Sequence, residues 1–322
     1  MNWDIYRLRG NCLFPRPGGL AIVDQQLLVF LTAADLKSFS RAAEQLYITQ
    51  PAVSQHVQSL ERRLGVPLME RNNKRVRLTK AGEIVYSHGH DIINLYNLMQ
   101  RYVDDLANVE AGSISIGSSY TFGEYVLPRV IARLHKQYPA ITPTISIANT
   151  REIVDRVADG DIDIGVIEGQ HENTKVDTTP FATDTVVIVG ATSHPLAKGG
   201  TVSAKDASES LWVVREAGSG TREVTDRAFA NCGIVPAATI EFGSTQAVKE
   251  AVEAGLGLSI LSQWVIRKEL AHGTLRTIHV QGMPVTRSFS LVLRKSRFHT
   301  KAAELFASLL RSDPPQLPSA DA

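Results

Sequence analysis

Residues 49–65 read TQPAVSQHVQSLERRLG, and this stretch predicts one amphipathic helix with a marked beginning and end. Thr49 is a capping residue, Pro51 suits a first turn where its missing N–H costs nothing, and Gly65 suits the end. The apolar face carries Val53, Val57, Leu60 and Leu64, and the opposite face carries Gln50, Ser54, Gln55 and Gln58. Exposed amides and hydroxyls of this kind hydrogen-bond base edges and phosphates in the major groove of DNA. By periodicity alone, a DNA-reading helix and a small helical bundle with a polar surface are equally good interpretations.

Two shorter helices are predicted before this segment. From Asp24 onward, apolar residues recur at three- and four-residue spacing, in Leu27, Leu28, Phe30 and Leu31. After a polar break at residues 35–38, Ser40 is expected to cap a helix over residues 41–46. The pair Ala42 and Ala43 allows a close approach between two helices, which a helix-turn-helix needs.

A basic segment follows the predicted helix. Residues 71–80 contain five basic residues and no acid, although the whole chain has a net charge of only +1. The five are Arg71, Lys74, Arg75, Arg77 and Lys80. Alternating residues flank Asn72 and Asn73, so the segment predicts a two-stranded hairpin whose local positive charge suits phosphates.

Thr79 is expected to cap a long helix that runs from Lys80 to about residue 108. Its apolar positions are three or four residues apart, close to the heptad period of two helices packed side by side. These positions are Ile84, His88, Ile92, Leu95, Met99, Tyr102, Leu106 and Val109. A helix buried on its own domain is the alternative. Pairing between two chains is favoured because nothing nearby in the sequence offers a core.

From residue 111 onward, strand-like and helix-like segments alternate, which is the rhythm of a parallel sheet with crossover helices. The rhythm occurs first over residues 114–167 and again over residues 186–261. A strand at 289–293 and a helix at 301–310 close the chain. Two successive α/β lobes predict a cleft between them, and ligands of such sheets bind beyond the carboxyl ends of the strands.

The residues at those strand ends are candidate ligand contacts. They are Ser118, Ser119, Tyr120, Asn149, Thr150 and Glu168 in the first lobe, and Ser219, Thr221, Arg222 and Ser244 in the second. Residues 218–221 read GSGT and open a helix, so free N–H groups, hydroxyls and the helix dipole favour an anion. A structural role stays open for each residue, since Ser and Thr cap helices and Arg222 can pair with Glu168 or Glu223. The segment is not a nucleotide P-loop, because no Gly-Lys-Ser/Thr follows it.

Residues 30–82 resemble the winged helix-turn-helix of the LysR-type transcriptional regulators. The matching residues are Phe30, Ser38, Phe39, Ala42, Ala43, Leu46, Gln50, Pro51, Ser54, Leu60, Glu61, Leu64, Gly65, Leu68, Arg71, Leu78, Thr79, Ala81 and Gly82. Lys37 stands where the family usually has glycine and adds a cation near the DNA. Met69 replaces a usual phenylalanine, which exchanges one apolar filler for another. The DNA contacts expected here are Lys37, Ser40, Arg41, Gln50, Pro51, Ser54, Gln55, Gln58, Arg71, Lys74 and Arg75.

The rest of the chain is similar to the effector domain of the same family, which resembles periplasmic solute-binding proteins. Segments 112–130, 147–169, 215–229 and 242–261 look like the subgroup that regulates carbon fixation and sulfur assimilation. The resemblance implies an α/β protein with an N-terminal winged helix-turn-helix, a long linker helix and a two-lobed periplasmic-binding-protein-like effector domain. It also implies a homodimer or homotetramer on double-stranded promoter DNA. The implied effector is a small anion, namely a carboxylate, a phosphate or a sulfur oxyanion.

These features divide the chain into five expected parts. They are an irregular leader at 1–19, the winged helix-turn-helix at 20–79, the linker helix at 80–110, the effector domain at 111–311 and a flexible tail at 312–322. Lobe I of the effector domain is expected at 111–182 and 284–311, and lobe II at 183–283.

Composition and missing motifs argue against other classes of protein. The 322 residues are 43% hydrophobic and 21% charged, and no apolar run approaches the ~20 residues of a membrane span. The N-terminal residues lack the apolar core of a signal peptide, and Cys12 and Cys232 lie too far apart for a disulfide framework or metal cluster. We therefore expect a cytoplasmic protein without membrane partner, metal or other cofactor. No GxSxG or HExxH motif suggests catalysis. A cytoplasmic solute-binding sensor without a transcriptional role is the alternative to a regulator.

Overall fold

The computed structural model describes residues 24–72, 75–107, 112–169, 171–296 and 298–317. The chain divides into two compact units, Met1–Asp104 and Asp105–Ala322. The expected leader at 1–19 lies outside the described residues, as do Lys74 and the last five residues of the expected tail. The limits of the linker helix and of the lobes stay predictions.

The first unit is a three-helix motif with a small hairpin and a long helix. Its elements are α1 (Gln25–Asp35), α2 (Phe39–Leu46), α3 (Gln50–Leu64), β1 (Met69–Asn72), β2 (Arg75–Leu78) and α4 (Lys80–Ala107). The strands β1 and β2 are antiparallel, with Met69 opposite Leu78. The predicted order of three helices, hairpin and long helix is confirmed.

The ends of α3 lie where the sequence predicts them. The Thr49 side chain accepts a hydrogen bond from the Ala52 amide at 3.4 Å, and Gly65 ends the helix in the left-handed conformation at φ 75°. The expected cap of α2 is wrong by two residues. Ser38, not Ser40, has the extended backbone of a cap and accepts from the Arg41 amide at 3.3 Å. Phe39 packs partly buried against the core and belongs to the first turn of α2, so the cap moves back to Ser38.

The core of the first unit lies between α1 and α3. Phe30 and Leu31 of α1 are fully buried, together with Val53, Val57 and Leu60 on the apolar face of α3. Leu64, predicted on the same face, is 45% exposed because it lies in the last turn, beyond the core.

The long helix α4 combines both interpretations of its apolar residues. Ile93 and Tyr96 are buried in the core of the first unit. Beside them around the helix, a stripe of apolar side chains is between 45% and 58% exposed, comprising Ile84, Ile92, Leu95, Met99 and Val103. One face of α4 is therefore used within the chain, and an adjoining face offers apolar surface to a partner.

The second unit contains ten strands and eight helices among its described residues. Its first half comprises β3 (Gly112–Ser119), α5 (Tyr120–Tyr125), α6 (Leu127–Gln137), β4 (Ile141–Ala148), α7 (Thr150–Asp159), β5 (Ile164–Glu168) and β6 (Val176–Ala191). Its second half comprises β7 (Thr201–Val202), α8 (Ala204–Ser208), β8 (Leu211–Arg215), α9 (Gly220–Cys232), β9 (Ala238–Phe242), α10 (Thr245–Glu253), β10 (Ser259–Ser262), α11 (Gln263–His272), β11 (Leu275–Val280), β12 (Val285–Arg294) and α12 (Lys301–Ser312). The expected alternation of strands and helices is confirmed.

The sheet is mixed, which corrects the expectation of a parallel sheet. Strand β3 pairs parallel with β4 and β5, and β8 pairs parallel with β9. Strands β6 and β12 instead pair antiparallel over ten residues of β12, and β6 also pairs antiparallel with β10 and β11. Parallel neighbours require a crossover connection, whereas β6 and β12 run in opposite directions as one ribbon. The ladder of this ribbon shifts register between Phe289 and Ser290.

The ribbon of β6 and β12 joins two lobes. Lobe I contains β3–β5 with α5–α7 and α12, and its core includes Phe122, Phe289 and Phe306. Lobe II contains β7–β11 with α8–α11, and Trp212 is fully buried in its core. The expected tail is anchored at its start, since Asp313 beyond α12 accepts hydrogen bonds from Arg133 of α6. The carboxyl ends of β3, β4 and β5 lie at one edge of lobe I because the three strands are parallel.

Gly82, in the first turn of α4, offers a test of the packing in the first unit. A Cβ at this position would lie 2.0 Å from the Leu68 carbonyl oxygen, which is backbone and cannot rotate away. We expect Gly82→Ala to destabilise the first unit by about 1–3 kcal/mol, although alanine gains ~1 kcal/mol over glycine inside a helix. Urea unfolding measures this change. Gly243→Ala, at a position with nothing within 4 Å, is the control, and equal stability of both variants with wild type would contradict the close contact.

Candidate functional site

The exposed surface of α3 carries the polar residues expected to contact DNA. Gln50, Gln55 and Gln58 are exposed, and the Gln50 amide donates a hydrogen bond to the Ser54 hydroxyl at 3.1 Å. Pro51 in the first turn of α3 is also exposed, as are Lys37, Ser40 and Arg41 around α2. The side chains of Arg71 and Arg75 and the whole of Lys74 lie outside the described residues. The unit thus presents amides, a hydroxyl and cations around one short helix pair.

In the second unit, the two serines that end β3 are buried and bonded within lobe I. The Ser118 hydroxyl donates to the Ser119 carbonyl at 3.1 Å. The Ser119 hydroxyl donates to the Val166 carbonyl at 3.3 Å and accepts from the Glu168 amide at 3.1 Å. Ser119 therefore links β3 to β5, and Glu168 in turn accepts from the Phe122 amide at 3.0 Å. The strand ends are held at one place by their own side chains.

The two lobes touch directly at the predicted GSGT turn. The Gly220 amide donates to the Thr150 hydroxyl at 3.1 Å, and the Arg151 amide donates to the Gly218 carbonyl at 3.1 Å. A Cβ on Gly220 would lie 2.5 Å from the Glu168 carbonyl oxygen, so only glycine fits this approach. The structure thus brings Thr150 and Glu168 of lobe I against the N-terminus of α9.

Three of the predicted residues also cap helices with their side chains, which was the structural alternative for them. Asn149 accepts from the Glu152 amide at the start of α7, Ser219 accepts from the Thr221 amide at the start of α9, and Ser244 accepts from the Ala247 amide at the start of α10. Ser119 precedes α5 without a side-chain capping bond. Capping and ligand contact are compatible at Ser219, because its buried position lies at the contact between the lobes.

The residue that connects the predicted positions is Arg287 of β12, which the sequence analysis missed. Its guanidinium is buried and donates to the Thr221 hydroxyl at 3.0 Å in lobe II and to the Thr121 hydroxyl at 3.1 Å in lobe I. Its Nε donates to Asp184 of β6 at 2.8 Å, and the Ser262 hydroxyl donates to the other Asp184 oxygen at 2.6 Å. One cation thus joins both lobes and both strands of the ribbon.

A signal for Arg287 exists in the sequence. Residues 287, 289 and 291 lie on one face of β12, and Phe289 and Leu291 are buried apolar residues. A charged residue on the buried face of an alternating strand indicates a buried ion pair. Its partner Asp184 is 103 residues away, so no local pattern identifies the pair.

A second buried cation, Arg215, lies at the end of β8 and is surrounded by polar and aromatic groups. The Arg215 guanidinium is buried, donates to both Glu216 oxygens at 2.7 and 2.8 Å and donates to the Thr245 hydroxyl at 2.6 Å. It also stacks over the ring of Tyr120, 4.4 Å from the centroid, which gives this predicted residue a partner in lobe II. Burial would raise the pKa of Glu216, but the hydrogen bonds and charge of Arg215 outweigh it and lower the pKa.

Arg222 does not pair as the sequence analysis expected. Its guanidinium contacts Asp226 one turn along α9 and Glu241 on β9, at 3.0 Å each, rather than Glu168 or Glu223. It also donates to the Arg215 carbonyl at 2.9 Å. Helical spacing of four residues places Arg222 and Asp226 on the same face, so the guanidinium is already occupied on lobe II. Arg287 instead supplies the buried cation between the lobes.

Glu124 is a half-buried acid at the same contact between lobes. Its Oε2 atom has no hydrogen-bond partner among the described residues. Burial raises the pKa of this carboxyl, and the charge of Glu168 raises it further, against the lowering effect of Arg215 and Lys249. Lys249 is bonded instead to Glu269 at 2.6 Å. The neighbouring Tyr125 hydroxyl donates to Gln246 of lobe II at 2.6 Å.

Comparisons with known proteins agree with this combination of a DNA-binding motif and a two-lobed ligand domain. Residues 25–83 match the model of the bacterial regulatory helix-turn-helix protein, lysR family, and residues 107–314 match the LysR substrate binding domain. The chain belongs to the LysR family of transcriptional regulators, whose members bind promoter DNA and respond to small molecules.

Individual relatives support the expected subgroup. The HTH-type transcriptional regulator CysL of Bacillus subtilis is 35% identical over 89% of this chain and 96% of its own length. A probable RuBisCO transcriptional regulator of Cyanophora paradoxa is 33% identical over 88% of this chain and 89% of its own. The regulatory domain of Synechocystis CcmR, solved in complex with 2-PG, has a TM-score of 0.58 at 23% identity, over 62% of this chain and 96% of that domain. The resemblance to regulators of carbon fixation and sulfur assimilation is confirmed, and the non-transcriptional alternative finds no support.

No helix among the residues that the structure describes is long and apolar enough to cross a membrane. Within those same ranges, no group of three or more His, Cys, Asp or Glu side chains is placed to hold a metal ion.

The raised pKa of Glu124 predicts a pH-dependent stability. The folded unit favours the protonated acid, so wild-type stability falls as pH rises from about 4.5 through the folded-state pKa. We expect Glu124→Gln to melt about 2–4 °C above wild type at pH 8, with a difference that shrinks toward pH 5. Thermal unfolding at both pH values measures this, with Glu209→Gln at an exposed position as the control. A variant that melts below wild type at pH 8 would contradict the raised pKa of the Glu124 carboxyl.

Proposed function

We propose that this LysR-family regulator responds to a small anionic metabolite that binds between the two lobes of its second unit. The observation that carries the proposal is the position of Arg287, whose guanidinium reaches hydroxyls of both lobes. The groups gathered around it are hydroxyls, the amides at the start of α9 and one cation. These groups can donate, and the nearby Asp184 carboxylate already accepts from the Arg287 Nε and from Ser262, so the ligand they favour is rich in acceptor oxygens, as a carboxylate, a phosphate or a sulfur oxyanion is.

The bonds of Arg287 support an anion as the ligand. The Nε atom of the guanidinium donates to the Asp184 carboxylate. The two terminal nitrogens donate to the neutral hydroxyls of Thr121 and Thr221. An oxyanion makes shorter and stronger bonds to a guanidinium than a hydroxyl does, so it would replace these hydroxyls as acceptor. The freed hydroxyls would then donate to the same anion. The anionic 2-PG bound by the CcmR domain fits this chemistry.

A ligand that contacts both lobes would change the equilibrium between their open and closed arrangements. A ligand that binds the closed arrangement better than the open one shifts the equilibrium toward closure, and only such a difference in affinity can do so. Closure would change the geometry of the effector domains in an oligomer and so the spacing of its DNA-binding units. This gives the metabolite an influence on the promoter complex without contacting DNA.

For the DNA-binding unit we propose two kinds of contact. The polar face of α3 reads base edges through Gln50, Ser54, Gln55 and Gln58, with Pro51 at its start. The cations and the remaining polar residue hold phosphates, namely Lys37, Ser40, Arg41, Arg71, Lys74 and Arg75. We also propose that the protein acts in the cytoplasm, since promoter DNA is its partner.

Pairing of α4 supplies the oligomer that operator recognition needs. One helix in one major groove makes few base contacts, so specificity requires two half-sites and a two-fold protein. The stripe defined above, Ile84, Ile92, Leu95, Met99 and Val103, is the apolar surface that we propose packs against its copy in a homodimer, alone or within a homotetramer.

A charge in this stripe tests the proposed pairing. Leu95→Glu would bury a carboxylate in the helix pair, and burial of an unpaired charge is strongly unfavourable. We expect the variant to sediment as a monomer and to lose operator affinity while its second unit melts as in wild type. Ser87→Glu places the same charge on an exposed position of α4 outside the stripe and is the matched control. A Leu95→Glu protein that sediments as the wild-type oligomer would exclude this face from the interface.

Thr221→Val tests the anion site at one atom. The change keeps the shape of the side chain but removes the hydroxyl beside Arg287, which should weaken effector binding about tenfold or more. Thermal shifts against sulfate, sulfite, acetylated serine, phosphorylated sugars and phosphoglycolate measure this, and DNA binding without effector should not change. Thr225→Val removes a hydroxyl one turn along α9, where it donates to the Thr221 carbonyl, and serves as control. Stabilisation by a neutral apolar compound, undiminished in Thr221→Val, would contradict the anion proposal.

A further inference from the structure

Arg151 of lobe I lies against the GSGT turn of lobe II. Its amide donates to the Gly218 carbonyl at 3.1 Å, and the preceding Thr150 hydroxyl accepts from the Gly220 amide at 3.1 Å. The side chain lies along the same turn, since a Cβ built on Gly218 would be 3.5 Å from the Arg151 Nε atom and 3.7 Å from its Cζ atom. Because residue 218 is a glycine, no side chain stands between its backbone and the guanidinium.

The guanidinium of Arg151 has no hydrogen bond or ion pair within the part of the chain that the structure describes. Asp155, four residues along α7, is an exposed acid of the kind with which a helical arginine pairs. The Arg151 side chain instead extends back toward the start of α7, which is the direction that helical side chains favour, and lies beside Gly218. It is also exposed, so its charge is accessible to a molecule in solution.

The other arginines at the contact between the lobes each form an ion pair with an acid of lobe II or of the ribbon. The pairs are Arg287 with Asp184, Arg215 with Glu216, and Arg222 with both Asp226 and Glu241. A paired guanidinium still donates hydrogen bonds, but the nearby carboxylate compensates its charge. Of these four arginines, Arg151 is the one whose charge has no acidic partner among the described residues. An anion that reaches Arg151 is therefore attracted by an uncompensated charge.

Arg151 and Arg287 lie at the two ends of the GSGT turn. Arg151 lies beside Gly218, the first residue of the turn, and Arg287 donates to the hydroxyl of Thr221, its last residue. Three residues of chain separate these positions, so their Cα atoms are at most about 11 Å apart. Two guanidiniums on opposite sides of so short a turn suit a small molecule that has an oxyanion at each end.

We propose that Arg151 is a specificity-determining residue of the effector site and selects small acids with two oxyanionic groups, here called two-ended acids. Phosphorylated carboxylic acids and dicarboxylic acids are of this class. One group binds beside Arg287 and Thr221, and the other accepts hydrogen bonds from the Arg151 guanidinium. This role rests on the proposed function, and it narrows the ligand from an anion to a two-ended acid. Because Arg151 belongs to lobe I and the turn to lobe II, the second group adds a contact that favours the closed arrangement.

Replacement of Arg151 separates the two ends of the ligand. Full-length wild type and Arg151→Gln are titrated calorimetrically with phosphoglycolate and malate, which are two-ended acids, and with sulfate, which has one oxyanionic group. Wild type should bind a two-ended acid more tightly than sulfate. Arg151→Gln should bind that acid about tenfold or more weakly, because a charge-assisted contact is lost, and should bind sulfate within about threefold of wild type.

Arg227→Gln is the matched control. It removes the same charge at an exposed position about 10 Å along α9 from the GSGT turn, and it should bind every probe as wild type does. The Arg151 side chain is exposed and makes no bond of its own in the described chain, so Arg151→Gln should fold normally. Its melting temperature without ligand should lie within about 2 °C of wild type.

Failure of the Arg151 contact and failure of the anion site have different signatures. Wild-type affinity of Arg151→Gln for both two-ended acids would overturn the role of Arg151 and leave the anion site at Arg287 in place. An equal loss of affinity for sulfate, or a wild type that binds sulfate as tightly as either two-ended acid, would overturn the selection of two-ended acids. A wild-type protein that binds none of the three probes would overturn the proposed function, and the role of Arg151 with it.

Discussion

The second unit depends on one buried ion pair, between Arg287 and Asp184. Both side chains are almost completely removed from water, and breaking such a pair by deleting one partner typically costs about 3–5 kcal/mol. The pair is tolerable because the remaining polar atoms find partners, in the hydroxyls of Ser262, Thr121 and Thr221. Since the two charges lie on different strands of the ribbon, the pair also fixes where the lobes meet.

The contact around Arg215 works differently from this pair. It ties the lobes through stacking on Tyr120 and through polar side chains beside it, and it leaves the Oε2 atom of the half-buried Glu124 without a hydrogen-bond partner among the described residues. A closed arrangement that includes an unpartnered acid is less stable than it could be. Such a site responds to small changes in what surrounds it, and this is a useful property in a domain whose task is to respond to a ligand.

Local patterns in the sequence predicted most of the first unit and the helices of the second. Caps, terminal glycines and apolar spacing act within a few residues, so Thr49, Gly65 and the face of α3 could be assigned directly. The cap of α2 was misplaced because Ser38 and Ser40 are equally good caps, and the burial of Phe39 decides between them.

The candidate site was predicted less completely, for a related reason. The strand-end residues of both lobes were predicted because topology brings such ends together, and Thr150, Glu168 and the GSGT turn do lie together. Arg287 was missed, and Arg222 was given partners it does not have, because ion pairs form between residues that are distant in sequence. The antiparallel ribbon was missed for the same reason, since strand direction depends on connections rather than on composition.

The register shift in the ribbon has a mechanical consequence. Phe289 lies opposite Ala182 and Ser290 opposite Pro180. Phe181 is therefore an extra residue in β6 that has no pairing residue in β12. A bulge of this kind bends a strand and increases its twist, and Pro180 has no amide with which to restore the ladder. Because the ribbon carries both chain crossings between the lobes, a change in the angle between them must be absorbed there, and the bulge interrupts its ladder. Arg287 lies two residues from Phe289, so a ligand bound to its guanidinium would act close to the place where the ribbon bends.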